Sequence, residues 1–92
     1  PPQVGRAATE LGEHFAAWRK VLSLTAEQVA DRAGISRLTL RKLEHGDPSV
    51  GFHVVLESRA LGLLDTLTDA LDPLSTDLGQ ARADLINRKR VR

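Results

Sequence analysis

Residues 24–46 read LTAEQVADRAGISRLTLRKLEHG, a run that predicts two short helices joined by a tight turn. Thr25 and Gln28 have the spacing of a capping box, in which each side chain accepts a hydrogen bond from the other residue's backbone amide. Gly34 ends the first helix, because glycine adopts a left-handed conformation at little cost. Ser36 caps the second helix, which ends near the last glycine of the run.

The side chains of this run divide into an inward-facing and an outward-facing set. The apolar residues recur at helical spacing and are predicted to face a core, among them Ala30, Leu40 and Leu43. The opposite face of the second helix carries side chains that are cationic or small enough to enter the major groove of DNA: Arg37, Leu38, Arg41 and Lys42. A solvated face without a ligand is the alternative interpretation.

The run resembles the helix-turn-helix of the lambda-repressor/Cro-like family of bacterial and phage regulators, which commonly reads Leu-Thr-Gln…Leu-Ala…Ala-Gly-Val-Ser…Thr-Ile…Leu-Glu-Asn-Gly. The matching residues are Leu24-Thr25, Val29-Ala30, Ala33-Gly34-Ile35-Ser36, Thr39-Leu40 and Leu43-Glu44-His45-Gly46. The resemblance implies an all-α fold, a compact four- to five-helix DNA-binding domain with an additional C-terminal helical extension. It also implies a sequence-specific transcriptional repressor that binds double-stranded DNA at a palindromic operator as a homodimer.

Roles for individual residues follow from the resemblance. Arg37 and Arg41 are implied to donate two hydrogen bonds each to a guanine edge, worth about 1–3 kcal/mol of discrimination per pair. Leu38 is implied to touch a thymine methyl group, and Lys42 completes the base-contacting set. The hydroxyl groups implied to contact DNA phosphates are those of Thr25, Ser36 and Thr39.

The resemblance also implies an ion pair between Arg19 and Glu44 that locks the first helix to the third. Two positions differ from the family pattern: Ala26 replaces a glutamine that often contacts DNA, and Asp47 lies in a loop that is often basic. Both differences reduce the affinity expected of one domain, so binding as a dimer becomes more necessary. The alternative function is a protein-interaction module of the same fold without specific DNA binding.

Four segments are predicted along the chain: a flexible N-terminal arm (1–8), the DNA-binding domain (9–62, with its motif at 24–46), a helical dimerisation segment (63–75), and an amphipathic helix with a basic tail (76–92). The first helix is predicted from about Glu10 to Leu22, capped by Thr9. Its apolar residues Leu11, Phe15, Trp18 and Leu22 form one stripe that is expected to face the core. A fourth helix is predicted over 50–61.

Two features of the C-terminal third extend beyond a minimal domain. An apolar edge is suited to a symmetric dimer contact, with packing inside the chain as the alternative: Leu63, Leu64, Leu67 and Leu71. The segment from Leu61 to the basic end resembles HipB-like antitoxins, which implies a HipA-like, kinase-like toxin as partner. The basic tail is expected to contact DNA phosphates or to remain disordered until it meets an acidic partner: Arg88, Lys89, Arg90 and Arg92.

Composition limits the class of protein. The length of 92 residues allows one domain. The net charge is +3 over 1–43, −6 over 44–77 and +4 over 78–92. This segregation indicates distinct surfaces for distinct partners, or only a mixture of charges that keeps the protein soluble. No cysteine, signal peptide or membrane-length apolar run is present, so a cytoplasmic, nucleoid-associated protein is expected. His14, His45 and His53 lack ligand spacing, and we predict no enzyme activity, metal or cofactor. Because the chain begins at Pro1 and lacks methionine, we expect a removed initiator or missing N-terminal residues.

Overall fold

The computed structural model describes residues 1–87, which form helices and loops and contain no β-strand. The α-helices are α1 (Pro2–Val21), α2 (Ala26–Ala33), α3 (Arg37–Glu44), α4 (Phe52–Leu56), α5 (Leu64–Leu71), α6 (Asp77–Ala81) and α7 (Ala83–Asn87). Two 3₁₀ helices lie at Glu57–Leu61 and Pro73–Ser75. The predicted all-α class is confirmed. The tail formed by Arg88, Lys89, Arg90 and Arg92 lies outside the described residues. Among those that are described, no helix combines the length and hydropathy that a membrane span requires.

The capping signals predicted for α2 and α3 are confirmed. The Thr25 hydroxyl accepts from the Gln28 amide at 3.1 Å, and the Gln28 side chain accepts from the Thr25 amide at 2.9 Å. Gly34 ends α2 with φ of 68°, in the left-handed region. The Ser36 hydroxyl accepts from the Thr39 amide at 3.0 Å and starts α3. Local side-chain chemistry therefore sets both ends of the turn.

The core lies where α2 and α3 pack against the 3₁₀ helix at Glu57–Leu61. Val29, Ala30 and Leu40 form a buried cluster, against which half-buried residues such as Ile35 and Leu61 pack. Phe15 brings α1 onto the same core and is 6% exposed. The small size of Ala30, 2% exposed, lets α2 and α3 cross closely.

The predicted course of α1 is wrong in two respects. The helix begins at Pro2, not near Glu10, because proline fits the first helical turn; Thr9 is an interior residue and residues 2–8 are helical. Of the predicted apolar stripe only Phe15 is buried, whereas three members are exposed at 52%, 45% and 43%: Leu11, Trp18 and Leu22. The rest of the domain covers only a narrow strip of the α1 surface, so the helical spacing of apolar residues overestimated the buried area of this helix.

The C-terminal third is more broken than predicted. The expected helix over 50–61 is the short α4 followed by a 3₁₀ helix, and the expected helix after residue 76 divides into α6 and α7 at Arg82. Arg82 has φ of −121° and ψ of 26°, which interrupts the helical hydrogen-bond pattern without a proline or glycine. Leu63 is buried in the chain, whereas Leu71 is 86% exposed.

An ion pair joins the end of α1 to the end of α3. The Arg19 guanidinium donates to both carboxylate oxygens of Glu44, at 2.8 and 3.0 Å, and the two side chains are 16% and 11% exposed. Arg19 also donates to the Leu24 carbonyl oxygen at 3.5 Å, which ties the α1–α2 connection to the same group. The hydrogen bond with Glu44 raises the pKa of Arg19 above its usual value, so the arginine remains charged.

Removing one member of this pair is expected to destabilise the fold. Glu44→Ala leaves the Arg19 charge largely buried and should lower the free energy of unfolding by about 3 kcal/mol, measured by urea denaturation. Glu27→Ala, which removes an exposed carboxylate 4.0 Å from Arg37, is the control and should change it by less than about 0.5 kcal/mol. Equal effects of the two substitutions would contradict this assignment.

Ser58 is a polar residue placed in the core. It is 4% exposed, and its hydroxyl has no hydrogen-bond partner within the described part of the chain. Ser58→Ala removes this unsatisfied hydroxyl and adds no atoms to the core. The substitution should raise the free energy of unfolding by about 1 kcal/mol, measured by thermal or urea unfolding. Ser75→Ala is the contrasting case: its hydroxyl donates to the Asp72 carbonyl at 2.6 Å, and its loss should destabilise. A destabilised Ser58→Ala variant would show that the hydroxyl is satisfied.

Candidate nucleic-acid interface

The outward face of α3 carries the four residues predicted to contact bases. Leu40 is 3% exposed and anchors the inner face of the helix. The outer face presents exposed side chains, with Leu38 at 61%: Arg37, Leu38, Arg41 and Lys42. One helix, started by the Ser36 cap and held from behind by a buried leucine, thus displays three cations around one apolar side chain.

The start of α2 lies beside this face. Ala26 lines a groove together with Arg37, Leu38 and Arg41, although it is about a dozen positions away in sequence. The short side chain of Ala26 forms an apolar wall of this groove next to Leu38. Leu40 and Glu44 also line the groove, so it combines apolar side chains with two guanidinium groups and one carboxylate.

The hydroxyls predicted to contact phosphates belong to the caps. Thr25 and Ser36 are exposed and Thr39 is half-buried. Ser36 donates to the Thr39 hydroxyl at 2.9 Å, which leaves the Thr39 hydroxyl hydrogen available to a further acceptor. The first turn of α2 also carries backbone amides without an intrahelical acceptor, which favour an anion.

Acidic groups lie at two edges of the face. Glu27, on α2, places a carboxylate oxygen 4.0 Å from the Arg37 guanidinium, and both side chains are more than half exposed. In the loop after α3, the Ser49 hydroxyl and amide donate to Asp47 at 2.6 and 2.9 Å, and these bonds lower the pKa of Asp47 below its usual value. Asp47 is consequently anionic at neutral pH, and its charge acts on nearby Lys42.

Sequence reasoning missed Gly12 and predicted Gly46 only as the end of α3, whereas both residues set the distance between α1 and α3. A Cβ atom on Gly12 would lie 2.5 Å from the Leu43 carbonyl oxygen, and one on Gly46 would lie 2.5 Å from the Thr9 Cα. Gly46 also has φ of 78°. Both positions therefore need glycine. The signal for Gly12 was a glycine inside an otherwise helical run, which usually marks a close approach. The contact of Glu27 with Arg37 could not be predicted from a local sequence pattern, because it joins side chains of two different helices.

The residues predicted to form a dimer contact are not equivalent. Leu63 is buried within the chain, Leu64 and Leu67 are half-buried, and Leu71 is exposed. Over residues 1–87, no three His, Asp or Glu side chains approach closely enough to hold a metal ion.

A family model described as a helix-turn-helix domain matches residues 10–71, which is more than half of the chain. No curated protein and no solved structure matches the chain. The match begins within α1, includes the two capped helices and their turn, and ends with α5. The chain therefore belongs to the helix-turn-helix domain family.

Proposed function

We propose that this protein is a DNA-binding transcriptional repressor that reads a specific sequence through α3. The observation that carries the proposal is the exposed set Arg37, Leu38, Arg41 and Lys42 on a helix whose opposite side is anchored in the core. A cationic, capped helix of this kind enters the major groove, where the four base pairs present distinct patterns. The groove shared by α2 and α3 supports the proposal, because with α3 in the major groove the first turn of α2 would lie beside it, where its backbone amides could meet a phosphate.

Binding as a homodimer to a palindromic operator forms part of the proposal. Glu27 and Asp47 add negative charge beside the α3 face, and Ala26 provides no hydrogen bond to a base. Each domain is thus expected to bind weakly, and two domains on paired half-sites compensate. We place this activity in the cytoplasm, on the nucleoid, without an enzymatic step. A kinase-like toxin partner stays a prediction that rests on the resemblance of the C-terminal segment alone.

The two arginines of α3 give the first test. A binding site is selected from random double-stranded DNA with the wild-type chain, and affinity is then measured by gel shift at two salt concentrations. Arg37→Ala with Arg41→Ala should weaken binding to the selected site by at least about thirtyfold, because two bidentate contacts are lost. Arg6→Ala with Arg32→Ala removes the same charge from exposed positions elsewhere and is the control.

The control pair is expected to weaken specific and non-specific DNA binding by the same modest factor, through salt-dependent attraction alone. The α3 pair should reduce the ratio of specific to non-specific affinity. If that ratio stays unchanged, α3 does not read the sequence. If selection yields no enriched site at all, the interaction-module alternative is favoured.

Leu38 gives a test at the level of one methyl group. Replacing each thymine of the selected site in turn by uracil removes a single methyl and changes little else. At the position facing Leu38, affinity should fall about fourfold, as expected for about 0.8 kcal/mol per buried methyl. The Leu38→Ala variant should no longer distinguish thymine from uracil there. A wild-type chain indifferent to every such replacement would exclude a methyl contact.

A further inference from the structure

We propose that a cavity beside the contact of α1 with the end of α3 binds a small apolar amine, whose hydrocarbon part is about the size of one aromatic ring. The binding site is independent of DNA recognition. Its role is that of an effector site, at which the amine changes the DNA affinity of the repressor, and this role rests on the proposed function.

The cavity has the size and the wall of a site for a small apolar molecule. Its volume is about 160 Å³, and α1, the end of α3, the following loop, α4 and α5 all contribute to its wall. Exposed Leu11 and Pro48 mark its opening to solvent. An apolar cavity of about 150 Å³ accommodates a benzene molecule. The inner wall is formed chiefly by apolar side chains that are buried or half-buried: Phe15, Leu43, Val55 and Leu67.

Two glycines explain why the chain does not fill this space itself. Gly12 and Gly46 both lie in the wall of the cavity. A Cβ atom on Gly12 would lie 2.5 Å from the Leu43 carbonyl oxygen, and one on Gly46 would lie 2.5 Å from the Thr9 Cα. Larger side chains at these two positions would therefore separate α1 from α3 before they filled the cavity. The space is a consequence of the close contact between the two helices.

Asp47 identifies the chemical class of the ligand. It is the single ionisable residue in the wall, and it is half-buried. The Ser49 amide and hydroxyl both donate to its Oδ1 atom, and within residues 1–87 no hydrogen bond engages Oδ2. An ammonium group at the edge of the cavity can donate to this carboxylate while the hydrocarbon part contacts the apolar wall. A carboxylate on the ligand would instead be repelled.

The position of the cavity gives a bound ligand access to the DNA-reading helix of the proposed function. Leu43 belongs to α3 and Gly46 follows it, so the ligand would contact the end of the helix that carries Arg37 and Arg41. A ligand that binds one placement of α3 more tightly than another changes the population of the two placements. Occupancy of the cavity is therefore expected to change DNA affinity.

Three probes of similar size test the site by nuclear magnetic resonance titration of the isotope-labelled chain. Benzylamine is a cation, benzyl alcohol is neutral and benzoate is an anion. Each should cause saturable shifts of the Gly12, Gly46 and Val50 amide signals. The Gly34 amide, in the turn between α2 and α3 and outside the wall, should not respond. Affinity should fall about threefold from benzylamine to benzyl alcohol and again to benzoate.

Four variants separate the apolar and the charged parts of the site. Ala8→Phe places a ring in the cavity and should weaken benzylamine binding at least about tenfold, and Val50→Phe should do the same from the loop. Ala7→Phe, the same change at the exposed neighbouring position outside the wall, is the control and should leave binding intact. Asp47→Asn keeps an acceptor for Ser49 and should abolish the preference for the amine over the alcohol. Circular dichroism confirms that each variant retains its helix content.

The binding results decide the site without DNA. Absence of saturable shifts at the three amides, or equal effects of Ala7→Phe and Ala8→Phe, would overturn it. Equal affinities of the wild-type chain for the three probes would overturn the assignment to amines.

A gel shift with the selected DNA site decides the effector role. Saturating benzylamine should change the affinity of the wild-type chain at least about threefold and leave that of Ala8→Phe unchanged. If DNA affinity does not respond, the effector role fails and the ligand site stands. If no DNA site is enriched, the proposed function fails together with the effector role, and the ligand site still stands on the titrations.

Discussion

The contact between α1 and α3 is the constraint on which the rest of the structure depends. Arg19 and Glu44 join the last turns of the two helices through two short hydrogen bonds, largely shielded from solvent. Gly12 and Gly46 allow the backbones to approach so closely that a methyl group at either position would clash. Because α3 lies on one side against α1 and on another against α2, this junction fixes the direction in which its outer face points. The proposed reading of bases by α3 requires such rigid support.

The support explains how so small a domain displays a cationic face without a large core. Few of residues 1–87 are buried, and Val29, Ala30 and Leu40 are among them. The helix ends contribute the other local stabilisation, since the hydroxyls of Thr25 and Ser36 accept hydrogen bonds from backbone amides there. Hydroxyls used in this way lie at the entry of α2 and α3, on the side that a phosphate backbone would approach. The same residues can therefore both define the turn and position the domain on DNA.

Sequence reasoning succeeded where structure is local and failed where it depends on distant partners. The caps of α2 and α3 and the exposed α3 face followed from spacing over a few residues. The exposure of Trp18 could not be predicted in this way, because helical periodicity identifies an apolar face but not how much of that face a neighbouring element covers. The break at Arg82 has no proline or glycine to announce it. The proximity of Glu27 to Arg37 arises only when two helices are placed side by side.

In the proposed repressor, recognition depends both on the α3 face and on a second copy of the domain. In the proposed function the α3 face contributes specificity, yet Glu27 and Asp47 oppose the attraction of its cations for phosphate, so one domain is expected to gain little from electrostatics. Joining two domains makes the second contact intramolecular, and affinity then rises without any new base contact. Such a design makes occupancy of a paired site sensitive to protein concentration. An acidic margin beside a basic helix is thus consistent with a regulator that ignores isolated half-sites and responds to its own abundance.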